Sequence, residues 1–176
     1  MKASNSIQNN KLKLQKKAKK IKLLLTDNDG VLTDTGVYYS SRGEEFKRFS
    51  IRDGMGVERL RELISVETGI ITGELSGSVK KRAEKLKIKD LYLGTKSKEL
   101  LLKDILKKHK LKSENIAFIG DDVNDFKLLK LVGLSASPGD ALPDIKKIVD
   151  YVCENNGGHG AFREFAELII RLKMVK

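Results

Sequence analysis

The chain has few of the residues that staple small secreted domains. Among its 176 residues there is no tryptophan, and there are only two prolines and a single cysteine, Cys153. One cysteine cannot form an intramolecular disulfide, gives no support to a zinc site, and fits a reducing compartment. With 40% hydrophobic residues, the composition is nevertheless that of one folded domain with a core of its own.

Long apolar segments are also absent, and the charge is uneven. No run approaches the roughly 20 apolar residues of a membrane span, and the start of the chain lacks the apolar stretch of a signal peptide. We therefore predict a cytoplasmic protein with no membrane partner. The net charge is +11, but residues 1–22 hold eight lysines and no acid, so the rest carries only +3.

This charge distribution predicts two parts. Residues 1–18 are predicted to be a solvated, partly helical basic arm, and residues 19–176 to be the folded domain. A basic arm can bind nucleic acid. Nucleic acid is disfavoured as a partner here because no aromatic residue is interleaved with the lysines to stack on bases.

Strand and helix patterns alternate through the body of the chain. Short apolar runs predict strands at residues 21–25, 66–71, 91–93 and 116–119, with weaker signals at 133–136 and 151–152. Helical spacing occurs at residues 54–63, 78–86, 97–109, 126–131, 141–148 and 161–172. Residues 37–50 alternate around a turn and predict a hairpin. The alternation predicts an α/β fold with a doubly wound parallel sheet.

Polar residues follow three of the predicted strands. Asp27, Thr72 and Asp121 each stand where a buried strand ends. In open parallel sheets, ligands bind beyond the carboxyl ends of the strands. One such residue would mean little, since Asp and Thr also cap helices. Three of them, two being carboxylates, predict a convergent site.

The types and spacing of these residues indicate phosphoryl chemistry. Asp27 can attack phosphorus and form an aspartyl phosphate, while Asp29 can protonate the leaving alcohol and then activate water. Asp121, Asp122 and Asp125 form an acidic cluster that would repel itself without a cation, and hard oxygen ligands suit Mg²⁺.

Two further residues can stabilise a phosphoryl group. Thr72 offers a hydroxyl and neighbouring N–H groups, and Lys98 offers a positive charge at the start of a predicted helix.

The segments that carry these residues resemble the four motifs of the haloacid dehalogenase (HAD) superfamily of phosphatases. Residues 27–34 (DNDGVLTD) resemble the first motif, residues 71–73 the second, Lys98 the third and residues 120–125 (GDDVND) the fourth. The resemblance implies a Rossmann-like core with Asp27 as nucleophile and Asp29 as general acid/base. It also implies that Mg²⁺ is held by the Asp27 side chain, the Asp29 backbone carbonyl and the Asp121 side chain.

The same resemblance assigns supporting roles to Asp122 and Asp125. Asn28 departs from the pattern, because an apolar residue is commoner between the two aspartates. We expect Asn28 to point away from the pocket.

A closer similarity, over about residues 19–172, is to the 3-deoxy-D-manno-octulosonate 8-phosphate phosphatases of lipopolysaccharide precursor synthesis. It is carried by residues 49–56 (FSIRDGMG) and 157–164 (GGHGAFRE). It implies a sugar acid phosphate as substrate, a homotetramer, substrate-binding roles for Arg52, Asp53 and Gly54, and the hairpin as an active-site flap. It also implies no separate cap domain, in agreement with the 42 residues between Asp29 and Thr72 and the 48 between Thr72 and Asp121.

The residue after Gly73 departs from that family. The octulosonate enzymes typically have Arg there, facing the substrate carboxylate, whereas this chain has Glu74. Arg82 or Lys85 could compensate for its charge. Glu74 together with Lys85 resembles the relatives that hydrolyse nine-carbon 2-keto-3-deoxy sugar acid 9-phosphates, so both substrate classes stay open.

The remaining alternatives concern two side chains and two other classes of protein. His159 and Arg163 lie in or after a glycine-rich segment that can reach a substrate pocket. A Mg²⁺-binding receiver-like domain would also have carboxylates at strand ends, and a non-enzymatic scaffold or nucleic-acid binder would use the lysine-rich arm. The two-residue spacing of Asp27 and Asp29, with Thr72, favours the phosphatase.

Overall fold

Helices and strands alternate along the chain in the computed structural model, which describes residues 2–175. In chain order they are α1 (Lys2–Lys20), β1 (Leu23–Thr26), β2 (Val37–Ser40), β3 (Gly43–Lys47), α2 (Ile51–Ile64), β4 (Glu67–Ile71), α3 (Gly77–Lys85), β5 (Asp90–Tyr92), α4 (Lys98–His109), β6 (Ile116–Ile119), α5 (Phe126–Leu131), β7 (Leu134–Ser137), α6 (Pro143–Lys146), β8 (Tyr151–Val152) and α7 (Ala161–Met174). Short 3₁₀ turns at Ser113–Asn115 and Val123–Asp125 precede β6 and α5.

Six strands form one parallel sheet in the order β5-β4-β1-β6-β7-β8. The path through the sheet starts at β1 and proceeds to one edge through β4 and β5. It then returns to β6, beside β1, and proceeds to the opposite edge through β7 and β8. The predicted doubly wound α/β fold is confirmed. A ligand crevice is expected where the direction of winding reverses, between β1 and β6.

Side chains alternate between the two faces of the central strands. In β1, Leu24 faces the layer that contains residues of α1, α2, α3 and α7, whereas Leu23 and Leu25 face the layer of α4, α5 and α6. All four β1 residues are buried. Strands covered on both faces need continuous apolar sequences, and for this reason β1 and β6 could be predicted from their apolar runs.

The hairpin β2–β3 stands apart from the main sheet as a two-stranded antiparallel unit. It occupies the connection between β1 and α2. Within the described residues the other connections contain only the helices and strands named above, so the expectation of a hairpin without a separate cap domain is confirmed.

The N-terminal helix crosses the boundary predicted at residue 18. Ala18 is fully buried, Leu14 packs against the core, and Lys17 pairs with Asp150 at 2.5 Å. The part of the chain that packs against the core therefore begins inside α1, before the boundary predicted at residue 18. No helix among the described residues combines the length and the apolar character needed to cross a membrane.

Candidate active site

The predicted site residues meet at the switch point of the sheet. Asp27 directly follows β1, Asp121 lies just beyond β6, and Thr72 directly follows β4 on the other side of β1. They line a cavity of about 190 Å³, together with Asp29, Thr35, Gly73, Glu74, Asp122 and Asn124.

Lys98 joins the nucleophile to the acidic cluster. It is the first residue of α4 and its side chain is completely buried. Its Nζ lies 2.6 Å from Asp27 Oδ2 and 2.7 Å from Asp125 Oδ1. An ammonium can be buried in this way only when carboxylates compensate it.

The charges of these groups depend on one another. Burial raises the pKa of Asp27 well above its usual value, the charge of Asp125 raises it further, and the Lys98 ammonium offsets only part of this. For Lys98, burial favours the neutral amine, but Asp27 and Asp125 outweigh it and raise the lysine pKa. The ionised nucleophile thus needs more positive charge than Lys98 alone supplies.

Asp121 has the properties of a cation ligand. One of its carboxylate oxygens, Oδ1, is buried and without a hydrogen-bond partner in the described part of the chain. Burial, with the charges of Asp125 and Asp122, raises its pKa to about 7. Oxygens of Asp27, Asp121 and Asp125 lie within 4.8 Å of one another. A hard divalent cation fits this donor set.

Asp125 supports the cluster through both of its oxygens. Oδ1 accepts from Lys98, and Oδ2 accepts from the backbone N–H groups of Asp121 and Asp122 at 3.0 and 3.4 Å. Both oxygens of Asp27 are engaged as well, by the Asn28 N–H and by Lys98, so within the described residues Asp121 has the oxygen best placed to be a direct ligand. The Asp29 carbonyl predicted as the third ligand accepts no hydrogen bond from the described residues.

Gly30 allows the loop after β1 to approach Asp121. Its φ is +82°, and a Cβ at this position would lie 2.0 Å from Asp121 Oδ2. A larger residue would displace the carboxylate that faces the candidate metal site. Glycine is therefore required here by the space as well as by the backbone angle.

Asp29 is held through a single oxygen. Its Oδ1 accepts from Lys47 Nζ at 2.7 Å and from Asn28 Nδ2 at 3.1 Å, with a longer contact to Thr33 Oγ1 at 3.4 Å. Asn28 is fully buried and does not line the cavity, in agreement with the expected direction. Its amide nonetheless touches the acid/base residue, which the sequence did not reveal.

A sequence profile of the haloacid dehalogenase-like hydrolases matches residues 70–165, more than half of the chain. The chain belongs to the haloacid dehalogenase-like hydrolases. Of the positions predicted from the motifs, Asp27, Thr72 and Asp121 line the cavity of this hydrolase, and the buried Lys98 contacts Asp27.

Within this family, the chain is similar to octulosonate 8-phosphate phosphatases. The chain is 40% identical, over 154 residues, to the 3-deoxy-D-manno-octulosonate 8-phosphate phosphatase of Escherichia coli, covering 88% of this chain and 81% of that protein. The corresponding Moraxella catarrhalis enzyme, solved with magnesium, phosphate and 3-deoxy-D-manno-octulosonate, is 35% identical with a TM-score of 0.87 and covers 91% of each chain.

A cobalt-bound Haemophilus influenzae enzyme of the same description is 36% identical, with a TM-score of 0.86 over 89% of this chain and 91% of that one. The predicted resemblance to the octulosonate phosphatases is thus confirmed.

Several predicted substrate residues lie outside the cavity of this HAD hydrolase. Asp53 is buried and accepts from the Arg163 backbone N–H at 2.9 Å, and it does not line the cavity. Gly54 is buried against the Arg82 guanidinium, where a Cβ would lie 2.5 Å from Nη2. Arg82 itself donates to the Ser50 carbonyl at 2.7 Å.

Arg52 and Lys85 are exposed and also stand apart from the cavity lining. Arg52 borders a second cleft that contains His159. His159 contacts Arg48 Nη2 through Nε2 and the Gly157 carbonyl through Nδ1, both at 2.8 Å. Glu74, in contrast, lies on the cavity wall as predicted, and so does Gly73.

The sequence reasoning missed Lys47, Thr35 and Asn124. Thr35 and Asn124 line the cavity within or beside motifs that had been recognised, so proximity to those motifs was an available signal. Lys47 is one of 35 lysines and arginines, and its neighbours give it no distinguishing pattern. Only the packing of the hairpin identifies it.

Proposed function

We propose that this HAD hydrolase is a Mg²⁺-dependent phosphatase acting on a 2-keto-3-deoxy sugar acid phosphate of the 3-deoxy-D-manno-octulosonate 8-phosphate type. The observation that carries the proposal is the pairing of Asp27 with the buried Lys98, beside Asp121, at the switch point of the sheet. The curated relatives with 40% identity support the substrate class.

The geometry suits a two-step reaction on one phosphoryl group. Asp27 Oδ attacks phosphorus, the ester oxygen leaves, and Asp29 gives that oxygen its proton. Asp29 then accepts a proton from water as the water attacks the aspartyl phosphate, which frees Asp27 and releases inorganic phosphate. Thr72 and Lys98 stabilise the charge on the phosphoryl oxygens.

Asp27, the Asp29 carbonyl and Asp121 would hold Mg²⁺, which would neutralise phosphate charge so that an anionic nucleophile can approach. The unpartnered Oδ1 of Asp121 and the raised pKa values of Asp27 and Asp121 agree with a bound cation.

Steady-state phosphate release with Mg²⁺ tests the proposal. The wild type should hydrolyse the octulosonate 8-phosphate, and Asp27→Asn should lose at least about 1,000-fold in kcat, because no nucleophile replaces the carboxylate. Asp144→Asn is the matched control, since Asp144 is exposed and pairs with Lys147 on the surface. Undiminished release by Asp27→Asn would remove the nucleophile assignment.

A second substrate class is favoured by one observation. Glu74 lies on the cavity wall, where a carboxylate would repel a sugar acid unless a cation compensates it. Both substrate classes carry a sugar acid carboxylate, and the nine-carbon 9-phosphates are the alternative substrates because Glu74 with Lys85 resembles the relatives that hydrolyse them. A higher kcat/KM for them, reversed in favour of the eight-carbon acid by Glu74→Arg, would establish this alternative. If Glu74→Arg leaves the preference unchanged, Glu74 has no part in it.

We also propose a cytoplasmic homotetramer in lipopolysaccharide precursor synthesis, as the similarity to the octulosonate phosphatases implies. The hairpin exposes Tyr38, Tyr39 and Phe46, at 63%, 72% and 67% of their surface, which suits a face that is covered by another subunit. Sedimentation equilibrium measures the oligomer directly, and Phe46→Glu should shift it towards smaller species. A monomeric wild type at micromolar concentration would contradict this proposal.

A further inference from the structure

One buried cation near the site has no role in the reaction described above. The side chain of Lys47, at the end of β3, is only 1% exposed. Its Nζ lies 2.7 Å from Asp29 Oδ1 and 3.4 Å from Glu44 Oε2. These carboxylates raise the lysine pKa although burial opposes them. The hairpin thus delivers a positive charge directly to the acid/base residue.

A β-bulge turns Lys47 towards the site. Tyr39 is opposite Glu44 and Tyr38 is opposite Phe46, so Glu45 is an extra residue in β3. The extra residue shifts the alternation, which places Glu44 and Lys47 on one face of the hairpin and the exposed Phe46 on the other. Without the bulge, the side chains of Glu44 and Lys47 would point to opposite faces.

Glu44 ties this arrangement to the N-terminus of α3, a few residues after the second motif. Its Oε1 accepts from the Ser76 hydroxyl, and Ser76 caps the N-terminus of α3 by accepting from the Val79 N–H at 3.3 Å. A continuous polar chain therefore runs from Ser76 through Glu44 and Lys47 to Asp29. Glu44 thus fixes the position of Lys47, because Glu44 is itself bound to Ser76 of the main domain.

The contacts of Asp29 are one-sided. In the part of the chain that the structure describes, its hydrogen bonds all end at Oδ1, none at Oδ2. Because Oδ1 already accepts from an ammonium, Oδ2 is the oxygen through which a proton can pass. Asp29 lines the cavity and its side chain is 28% exposed, so this oxygen remains open to a substrate.

We propose that Lys47 is a positioning residue for the general acid, which fixes Oδ1 of Asp29 so that Oδ2 gives its proton to the leaving oxygen of the substrate. This inference rests on the proposed function, because it needs a reaction in which Asp29 protonates a leaving group. Lys47 keeps its own proton throughout and touches no reacting atom.

The leaving group provides the test. An alkyl alkoxide, as in a sugar phosphate, needs protonation, whereas p-nitrophenolate leaves without it. In Lys47→Met, kcat/KM for the sugar acid phosphate should fall about 100-fold, as expected for a misplaced acid. For p-nitrophenyl phosphate it should fall by less than about threefold. kcat/KM is the appropriate constant because it covers only the steps up to departure of the leaving group.

Two further variants separate positioning from a general effect on folding. Arg42→Met removes an exposed cation from the tip of the same hairpin and should leave both constants unchanged. Lys47→Arg retains the charge and should recover part of the loss on the sugar phosphate alone. An equal fall on both substrates in Lys47→Met would overturn the proposal, since it would mean that Lys47 supports the whole site.

A crystal structure of Lys47→Met gives an outcome that does not depend on the substrate. Asp29 should rotate away from its position in the wild type; an unchanged carboxylate would overturn the positioning role. Absence of phosphate release by the wild type from every sugar phosphate would instead contradict the proposed function, and the crystallographic comparison would still decide the role of Lys47.

Discussion

At the scale of single residues, the site is held by the charge balance around Lys98. This fully buried ammonium lies between Asp27 and Asp125, and its removal would leave two buried carboxylates without compensation. Breaking a buried ion pair by removing one partner costs about 3–5 kcal/mol. We therefore expect Lys98→Met to lower the free energy of unfolding by about that amount in urea denaturation.

Lys127→Met is the matched control for this experiment. Lys127 pairs with Glu99 at 3.1 Å, but its side chain is 73% exposed, so its loss should change the stability by less than about 0.5 kcal/mol. Equal free energies of unfolding for the two variants would show that the buried carboxylates take up protons with little loss of stability.

The second prediction at this scale concerns pH. Burial and the neighbouring carboxylates raise the pKa of Asp121 to about 7, above the 3.8 of an unperturbed aspartate. Between these values the folded state binds more protons at this group than the unfolded state does. Stability is therefore lost as pH rises from about 4 to 7, by up to about 1.4 kcal/mol per pH unit.

Thermal unfolding in EDTA at pH 5 and pH 7.5 measures this effect. Between pH 5 and pH 7.5 the melting temperature of the wild type should decrease by more than that of Asp121→Asn, because the amide does not titrate. Saturating Mg²⁺ should reduce the loss in the wild type, since the cation binds the ionised carboxylate. Identical pH dependence in the two proteins would contradict the raised pKa.

At the scale of elements, two helices begin at one buried carboxylate. Asp53 lies in the first turn of α2, and its Oδ1 accepts from the Arg163 N–H in the first turn of α7. The α7 N-cap is Gly160, which has no side chain to cap the helix. Asp53 therefore supplies the missing cap from 110 residues away in sequence. Its negative charge is favourable at both helix N-termini.

Asp53→Ala should lower the free energy of unfolding by about 1–2 kcal/mol, as for the loss of other N-caps. Asp53→Asn should lose less, because the amide oxygen still accepts a hydrogen bond. The urea midpoints of the two variants measure the difference, with Arg52→Ala as the exposed neighbour for control. If Asp53→Ala is as stable as Arg52→Ala, α7 does not depend on this cap.

The elements that the sequence predicted well are those whose pattern is local. The run at β6 was predicted with its observed bounds, because a strand buried on both faces is apolar throughout. The motif residues converged because parallel strands end at one edge. Lys47 and Asp53 could not be interpreted in this way. Their roles arise from a β-bulge and from helix packing, which join residues far apart in the chain.

At the scale of the whole molecule, the N-terminal helix is part of the fold and not only a carrier of charge. Its lysines suggested a solvated arm, and exposed Lys11 and Lys13 agree with that description. The last two turns differ. Leu14 and Ala18 pack against the core layer that contains α7, and Lys173 of α7 donates to the Ile21 carbonyl at 2.8 Å. Amphipathic patterning at this end was obscured by the abundance of lysine.

Two truncations distinguish an arm from an integral helix. Removal of residues 1–13 takes away exposed positions such as Lys11 and Leu12, and should leave the free energy of unfolding within about 0.5 kcal/mol of the full chain. Removal of residues 1–18 also takes away Leu14, Ala18 and the pairing of Lys17 with Asp150. Uncovering this apolar surface should cost about 2–4 kcal/mol.

Urea denaturation of the three proteins measures both effects. Because α1 packs against the layer that contains α7 and supplies no residue to the cavity lining, kcat of each folded protein should stay unchanged. Equal stability of the two truncations would instead place the domain boundary at residue 18, as the charge distribution alone predicts.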